Sequence, residues 1–524
     1  MKMLSMLTGS GPCPCCAYGH AQSILPFSLG GLIDRALGRK SATDRAVERP
    51  KPSGALRIEG VTVVDPRDGS KKPNMSVLMN CGRITAVTPL DEGGDPSVPQ
   101  IDARGKFVVP GYNDMHSHAL ELEDPRGSLA LMLADGVTGF RQMSGSPAML
   151  AKRRQGLFDF GALAPQLHQS PGAVMTPFNA GTPEAASAEI RRQKEQGADF
   201  IKIALVNPDV FFAAVETARE LRIPILGHLQ EGTDALDATR AGFHSVEHLG
   251  PGSTLFICCS DDEEELRADS YRREFIKAPP FKIPFLETLL MKRFQKLLVN
   301  PAAFANRTDI ERLGKAIDTF NQDKGERVAE AFVADGSWHC PTLVRLRTQE
   351  YADRPEYEQD AMLAYLPEAN IERWREVTGR FRGLDPDLRK TYDRAYPRQL
   401  ELAKLLSDSG VRMICGTDGG SYLGPGLSIR QEFKELSDAG IAPLKILQMT
   451  TINAAHYLGR EDAMGTIEPG KDADLVLLDR DPLERVENFH AIAGVVRAGH
   501  YHSAGDLARL KDRVAAGRGF LEAA

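Results

Sequence analysis

Two histidines separated by a single residue, His116 and His118, stand at the end of an apolar run that begins near Val108. In an extended strand, residues two positions apart point to the same face, so both imidazoles would face one side of the strand. Two imidazoles in this arrangement are suitable ligands for one divalent ion such as zinc. The pattern also arises often by chance, so it does not establish a metal site alone.

Further residues of the kinds that bind metals stand at or near the ends of other apolar runs. They are Lys202, His228, His248 and Asp418. Each has an ordinary structural explanation, because a lysine can extend to solvent from a strand end and a histidine or aspartate can cap the next helix. Together with the His-x-His pair they are difficult to attribute to chance. Parallel strands gather their carboxyl ends at one face of a barrel, which predicts a shared metal site there.

The strands and helices that must position these residues are predicted from the pattern of apolar and polar residues along the chain. Residues 110–463 alternate apolar strand-like runs with amphipathic helical stretches, which is typical of parallel βα units. We therefore predict an α/β fold whose main domain is a metal-dependent (β/α)8 TIM-like barrel. Short β-rich runs at 55–109 return at 464–505, which predicts a small β-sandwich domain formed by both ends of the chain. Residues 1–54 form an N-terminal arm in this prediction, and residues 506–524 form a C-terminal helix.

The predicted barrel is longer than a typical one, so it must carry an insertion. We place a helical insertion near 251–330. Apolar residues recur at helical spacing between Phe285 and Leu298, beside the basic residues Lys292, Arg293 and Lys296. This pattern favours a helix packed on the barrel over a helix that binds a membrane surface or a partner.

Composition excludes several other classes of protein. The chain has 524 residues and a formal net charge of −7, which argues against a general nucleic-acid-binding protein. No apolar stretch reaches the roughly 18 residues that a membrane span needs, so we expect no membrane span. Cys13, Cys15 and Cys16 match neither a zinc-finger spacing nor a disulfide framework. No secretory signal is evident, which predicts a cytoplasmic protein and leaves a periplasmic or secreted location as the alternative.

The motifs together resemble the amidohydrolase superfamily, especially its imidazolonepropionase-like, prolidase-like and ochratoxinase-like members. The resemblance covers about residues 55–505. The motifs that carry it are Pro110-Gly111 before His116-Ser117-His118, Gly136-Val137-Thr138, Gly197-Ala198-Asp199-Phe200-Ile201-Lys202, His228, Ser245-Val246-Glu247-His248, Pro341-Thr342-Leu343, Gly416-Thr417-Asp418, Thr451-Ile452-Asn453-Ala454-Ala455 and the run from Gly465 to Leu475.

This resemblance implies a site with two divalent metal ions, with zinc as the expected metal. His116, His118 and Asp418 would hold the more buried ion, and His228 and His248 would hold the other. Lys202 would bridge both ions as a carbamate formed with carbon dioxide. The implied reaction is hydrolysis of an amide bond, of the peptide or N-acyl amino acid kind, in a small-molecule substrate. A metal-bridging hydroxide would attack the carbonyl. Asp418 would be the catalytic residue that takes the proton of this hydroxide and passes it to the leaving amine.

The sequence also departs from the family pattern, which often continues Gly-Val-Thr with two residues and then Arg-Asp. Here Gln142 follows Arg141. We predict that Arg141 and His168 bind a substrate carboxylate, whereas His244 and Glu247 serve as scaffold. We expect a homo-oligomer, because many such barrels pair.

Three alternative functions stay open at this point. The same scaffold can host hydrolysis of a lactone, a cyclic amide or a phosphotriester. A binding protein without catalysis would be expected to lack a ligand, and all six ligand-type residues are present. A redox or metal-handling role for the cysteine cluster is the third.

Overall fold

The computed structural model describes residues 53–92, 95–249, 254–271, 296, 299–419, 424 and 426–517. The predicted arm before residue 53 lies outside these residues, and so does the predicted helix at 285–298 apart from Lys296. Within the described part of the chain, no helix combines the length and the apolar character that a membrane crossing requires.

Two groups of strands alternate with helices along the chain. The strands are β1 (Leu56–Val64), β2 (Lys71–Asn80), β3 (Arg83–Pro89), β4 (Gln100–Asp102), β5 (Phe107–Pro110), β6 (Tyr112–Ser117), β7 (Val137–Gln142), β8 (Gln166–Gln169), β9 (Ile201–Ile203), β10 (Ile225–Gly227), β11 (Ser245–Glu247), β12 (Trp338–Cys340), β13 (Arg412–Met413), β14 (Leu475–Leu478), β15 (Ile492–Arg497) and β16 (His500–Ser503).

The helices follow the strands from β6 onward. They are α1 (Pro125–Ala134), α2 (Pro147–Arg154), α3 (Pro183–Glu195), α4 (Pro208–Glu220), α5 (Ala235–Ala241), α6 (Thr254–Cys258), α7 (Glu263–Tyr271), α8 (Arg307–Asp318), α9 (Gln322–Asp335), α10 (Leu343–Glu350), α11 (Glu368–Arg382), α12 (Pro386–Asp408), α13 (Leu427–Asp438), α14 (Pro443–Thr450), α15 (Ile452–Leu458) and α16 (Ala504–Ala515). Short 3-10 helices lie at Leu90–Glu92, Ala119–Glu121, Gly161–Leu163, Pro301–Phe304, Pro355–Gln359, Ala361–Tyr365 and Val486–His490.

Strands from both ends of the chain share one mixed sheet. Its order is β16-β15-β14-β5-β1-β2-β3, with β4 beside β1. The two ends meet where β5 pairs antiparallel with β14, and Val109 lies opposite Val476. Apolar residues from both ends, among them Ile58 and Leu475, share one buried cluster. The two ends therefore stabilise each other by burying a common apolar surface. The division of this sheet into two layers of a sandwich stays a prediction.

The strands β6 to β13 form the second group, and every pair among them is parallel. One sheet has the order β6-β7-β8 and the other has the order β13-β12-β11-β10-β9. Isolated parallel bridges, Ser117 with Gly419 and Met175 with Ile203, link the edges of the two sheets. These pairings confirm a mixed α/β fold, whereas two separate sheets do not by themselves show a closed barrel.

Helices cover this second group because the short connections carry helix-starting signals. The N-caps Ser146, Thr182 and Asn207 each accept a hydrogen bond from a backbone amide in the first turn, and each is followed by proline. This combination satisfies one of the free amides at a helix start and fixes the backbone for the first turn.

Candidate metal centre

Strand β6 carries His116, and His118 directly follows its last residue; both side chains are buried. The ring centroids of these two histidines lie 5.6 Å apart. The Pro110-Gly111 motif at the start of the strand has a steric cause. A Cβ atom on Gly111 would lie 2.0 Å from Oγ1 of Thr138 on the neighbouring strand β7. Glycine therefore allows β6 to approach β7 closely before it reaches the histidines.

Asp418 follows β13 and is held against β6 by its neighbours. Its backbone amide donates to the carbonyl of His116 at 2.8 Å. Just before it, the Thr417 hydroxyl donates to Asp114 Oδ2 at 2.8 Å and the Thr417 amide donates to Asp114 Oδ1 at 3.1 Å. A Cβ atom on Gly416 would lie 2.6 Å from the Cβ of His116. The Gly-Thr-Asp motif thus brings the Asp418 carboxylate onto the two histidines.

The Asp418 carboxylate closes a compact group with β6. Its Oδ1 atom lies 3.4 Å from Nε2 of His116 and 3.2 Å from Nε2 of His118. The candidate ligand atoms of these three residues all lie within 4.8 Å of one another. Asp418 also has a positive φ of 51°, a conformation that non-glycine residues adopt rarely and often at functional sites.

Lys202, His228 and His248 reach the same place from strands β9, β10 and β11. Lys202 is completely buried, and its Nζ atom lies 3.2 Å from Nε2 of His116. The rings of His228 and His248 have centroids 5.1 Å apart, and the centroid of His248 lies 4.9 Å from that of His116. All six residues singled out from the sequence therefore lie together, while their role as metal ligands stays a prediction.

Three of the four histidines have their Nδ1 atoms engaged by oxygen atoms behind the cluster. His116 Nδ1 lies 2.7 Å from a carboxylate oxygen of Glu247. His118 Nδ1 lies 2.6 Å from the Ser144 hydroxyl, and that hydroxyl in turn contacts Glu121. We infer that each Nδ1 carries the proton and donates, because an ionised carboxylate can only accept.

His248 follows the same rule through Thr342. Its Nδ1 lies 2.6 Å from the Thr342 hydroxyl, which itself donates to the carbonyl of Pro341 at 2.8 Å. Because that hydroxyl has only one proton to give, it must accept from His248. The Nε2 lone pairs of His116, His118 and His248 are then available toward the centre of the group. Metal-binding histidines typically donate their other ring nitrogen to an oxygen in this way.

Burial sets the ionisation of the group. It lowers the pKa of His116 and of His228 well below the usual value, with Lys202 adding to the effect in both, and it lowers the pKa of His248 to about 4. Neutral imidazole is the form that binds metals. Burial alone would raise the pKa of Asp418, but His116, His118 and His248 outweigh it and keep that pKa well below its usual range. Burial also acts on His118, but Asp418 and Glu121 outweigh it and raise the pKa of that histidine. Neutral imidazoles at His116, His228 and His248 beside a carboxylate fit a divalent ion such as zinc.

Arg141 lies behind this group rather than at an open surface. It is fully buried, and its guanidinium donates to Glu247 at 2.8 Å, to the carbonyl of Met115 at 2.6 Å and to the hydroxyl of Tyr457. These contacts indicate that Arg141 positions the Glu247 carboxylate, which in turn contacts the His116 ring. The substrate-binding role predicted for Arg141 finds no support in these contacts.

His168 is directed toward the other end of the strands. Its Nε2 lies 2.9 Å from Oδ1 of Asn113, and its Nδ1 lies 2.9 Å from the guanidinium of Arg460. Asn113 precedes His116 by three residues on β6, which is about 10 Å of strand. Burial and then Arg460 lower the pKa of His168 to about 3. These contacts also give no support to a substrate-binding role.

Sequence reasoning missed the residues that support the cluster from behind and beside it. Asp114, Glu121, Ser144 and Thr342 received no role, although Thr342 stands in a motif that carries the resemblance. Arg345 was also missed, and its Nε lies 3.6 Å from Oδ2 of Asp418. The sequence signal that could have found these supporting residues is a polar residue close in sequence to a candidate ligand.

With the geometry described, comparison with known proteins finds a family that matches part of the chain. The model of the Amidohydrolase family matches residues 327–501, which include Asp418 and the return to the mixed sheet. Over this segment the chain is therefore similar to the Amidohydrolase family. Residues 116 to 248, which contribute the other candidate ligands, lie outside that matched segment.

Curated proteins match over short segments. Imidazolonepropionase from Thermoplasma volcanium is 32% identical over 108 residues, which is 21% of this chain and 26% of the relative. The N-substituted formamide deformylase from Arthrobacter pascens is 30% identical over 120 residues, which is 21% of this chain and 20% of the relative. The chain thus spans about a quarter or less of these relatives.

Solved structures match over much more of this chain. A bottromycin amidohydrolase structure has a TM-score of 0.63 at 22% identity, covering 90% of this chain and 92% of the other. At such low identity, the likeness concerns the fold alone.

Proposed function

We propose that this chain is an amidohydrolase, a metal-dependent enzyme that hydrolyses an amide bond in a small molecule. The observation that carries the proposal is the convergence of four histidines, Lys202 and Asp418 at the carboxyl ends of parallel strands. The bond broken is the C–N bond of the amide. Water supplies a hydroxyl group to the carbonyl carbon and a proton to the departing nitrogen, which gives a carboxylic acid and an amine.

In this proposal the two parallel sheets act as one (β/α)8 barrel. The bridge between Ser117 and Gly419 and the bridge between Met175 and Ile203 lie at both junctions of the sheets, which supports closure. The active sites of such barrels lie at the carboxyl ends of their strands. The candidate ligands lie at that end, and His168 lies toward the other.

Two divalent ions, with zinc as the expected metal, would be held by this set of side chains. His116, His118 and Asp418 would hold one ion, and His228 and His248 would hold the other. Carbon dioxide bound as a carbamate would convert Lys202 from a buried cation into an anion with two oxygen atoms. This change suits its position, because a buried positive charge beside two cations would be strongly unfavourable.

The residues of the chain have separate tasks in the reaction. When bound, divalent ions supply Lewis acidity that activates water and polarises a carbonyl group. Asp418 would receive the proton of the attacking water and pass it to the leaving amine. Burial of the site excludes bulk water that would weaken these electrostatic interactions.

Support for an amide bond comes from the names of the relatives. One similar structure is called an amidohydrolase and one curated relative a formamide deformylase. Hydrolysis of a lactone, a cyclic amide or a phosphotriester is the alternative, because a fold does not determine the substrate. A homo-oligomer and a cytoplasmic location stay predictions.

The proposal is tested by metal content and activity measured on the same protein. We expect close to two divalent ions per chain, loss of amide hydrolysis after chelation, and recovery with zinc or cobalt. Asp418→Asn should keep much of the metal and lose turnover by roughly a hundredfold or more, since general acid–base catalysis contributes that much. The exposed Asp387→Asn provides the matched control. Near-normal kcat in Asp418→Asn, or full activity without metal, would contradict the proposal.

A further inference from the structure

Thr342 has an unusual backbone conformation in the connection between β12 and α10. Its φ is 47° and its ψ is 50°, which is the left-handed region that a β-branched residue rarely adopts. Its side chain is fully buried, and its hydroxyl contacts His248 and donates to the carbonyl of Pro341. A conformation of this kind persists only where the surrounding contacts hold it in place. The connection at Thr342 therefore needs a partner that fixes it.

The hydroxyl of Thr342 does not cap α10, although threonine is a common residue at the start of a helix. Thr342 occupies the cap position, and within the described part of the chain no amide of the first turn donates to its side chain. The first backbone amides of a helix have no partner inside the helix itself. Because the hydroxyl is directed to His248, another group must accept from the amides at the start of α10.

Glu432 on α13 is the group that accepts from the start of α10. Its Oε2 atom accepts from the amide of Val344 at 2.7 Å, across a sequence separation of 88 residues. The Glu432 side chain is completely buried. Burial raises the pKa of Glu432 to about 8, although the amides of Val344 and Leu343 lower it. At neutral pH the group is therefore mostly an uncharged carboxyl, and glutamine is a close substitute for it.

We propose that Glu432 is a positioning residue for the candidate metal centre, because it fixes the start of α10 and so holds the Thr342 hydroxyl against His248. This inference rests on the proposed function, in which His248 binds a metal ion. It adds to that function a residue on a helix that contributes no candidate ligand.

The path from Glu432 to the metal centre is short. Val344 accepts its place from Glu432, and Thr342 lies two residues earlier in the same connection. The Thr342 hydroxyl lies 2.6 Å from Nδ1 of His248. A fixed partner at one ring nitrogen orients the other nitrogen toward the metal. Without the Glu432 acceptor, we expect the left-handed connection to relax and the Thr342 hydroxyl to cap α10 instead of contacting His248.

Zinc titration of the full-length apoprotein measures the metal centre without any turnover. Glu432→Met removes the acceptor, whereas Glu432→Gln keeps an acceptor at the same position. We expect Glu432→Met to bind one of two ions roughly ten- to a hundredfold more weakly, as for loss of a hydrogen bond behind a metal ligand. Glu432→Gln should bind both ions as wild type does. Leu436→Ala, which removes a buried apolar side chain from the same helix, is the control for destabilisation of α13.

A double variant distinguishes positioning from a merely structural effect. If Glu432 acts through Thr342, the addition of Glu432→Met to Thr342→Val should weaken zinc binding no further, because both changes remove the same contact to His248. Losses that multiply in the double variant would overturn the inference. So would an equal loss of affinity for both ions in Glu432→Met, or an equally selective loss in Leu436→Ala.

The ring proton of His248 keeps the inference testable if the chain binds no zinc. NMR of the apoprotein with isotope-labelled histidine measures exchange of the Nδ1 proton with water. The exchange should be slow in wild type and Glu432→Gln, and fast in Thr342→Val and Glu432→Met. Glu432→Asp, whose shorter side chain draws the carboxyl back from Val344, replaces Glu432→Met if that variant does not fold. Slow exchange in the Met or Asp variant would overturn the role of Glu432. The expected pattern in a chain without zinc affinity would support that role and contradict the proposed function.

Discussion

Glu247 joins His116 to Arg141 through its two carboxylate oxygens. Oε2 lies 2.7 Å from Nδ1 of His116, and Oε1 accepts from Nη2 of Arg141 at 2.8 Å. All three side chains are completely buried. The charges of Glu247 and Arg141 therefore depend on each other, and the orientation of the His116 ring depends on both.

Glu247→Gln should weaken metal binding and destabilise the fold together. The amide cannot compensate the buried Arg141 charge, so we expect the free energy of unfolding to fall by about 3–5 kcal/mol. Loss of the oxygen partner behind His116 should reduce metal affinity by roughly ten- to a hundredfold. Urea unfolding and metal competition measure the two effects. Glu311→Gln, at an exposed position on α8, is the control, and unchanged values in Glu247→Gln would show that the chain of contacts is unimportant.

The sequence was sufficient to predict the ligand group because its members are marked locally. His116, Lys202 and Asp418 each belong to a polar motif next to an apolar strand, and parallel strands must gather their ends. The supporting contacts are not marked in this way. Glu247 and His116 are separated by 131 residues, so their pairing depends on the register between strands.

Dependence on long-range contacts also explains why the sequence alone does not fix the roles of Arg141 and His168. The sequence places both residues close to predicted strand ends, and that position alone predicts substrate binding. His168 meets Arg460 across a sequence separation of 292 residues, at the side of the strands that faces the mixed sheet. In a strand as short as β8, the sequence does not determine which face of the sheet a histidine side chain occupies. The tertiary contacts determine it.

Thr342→Val should selectively weaken the part of the site that contains His248. Valine has nearly the same shape as threonine but cannot accept the proton on Nδ1, which the Thr342 hydroxyl contacts at 2.6 Å. We expect roughly ten- to a hundredfold weaker binding of one of two ions. Thr342→Ser keeps the hydroxyl and serves as the matched variant. Titration of the apoprotein with zinc measures both sites, and equal affinities in the Val and Ser variants would exclude this role of the hydroxyl.

Lys202→Ala should bind fewer than two divalent ions per chain. The side chain is completely buried beside His116, so its removal leaves no other group on β9 to join the two halves of the site. Elemental analysis after dialysis measures the ratio of metal to protein. The exposed Lys390→Ala should bind as much metal as wild type. If Lys202→Ala retained two tightly bound ions, the bridging role would be wrong.

Glu350→Gln should stabilise the fold at high pH and have little effect at low pH. Burial raises the pKa of Glu350 from its ordinary 4.5 to about 8, although Gln399 donates to its Oε1 at 2.7 Å. Between these two pKa values the folded chain holds a proton that the unfolded chain releases. The contribution of Glu350 to wild-type stability is therefore complete below about pH 4. It falls as the pH rises toward 8, by at most about 1.4 kcal/mol per pH unit. Glutamine does not titrate and can still accept from Gln399. Urea unfolding at pH 5 and pH 8 measures the free energy of unfolding, and the difference between Glu350→Gln and wild type should grow with pH. The control Glu311→Gln should show the same difference from wild type at both pH values. A constant difference for Glu350→Gln would mean that Glu350 is ionised in the fold.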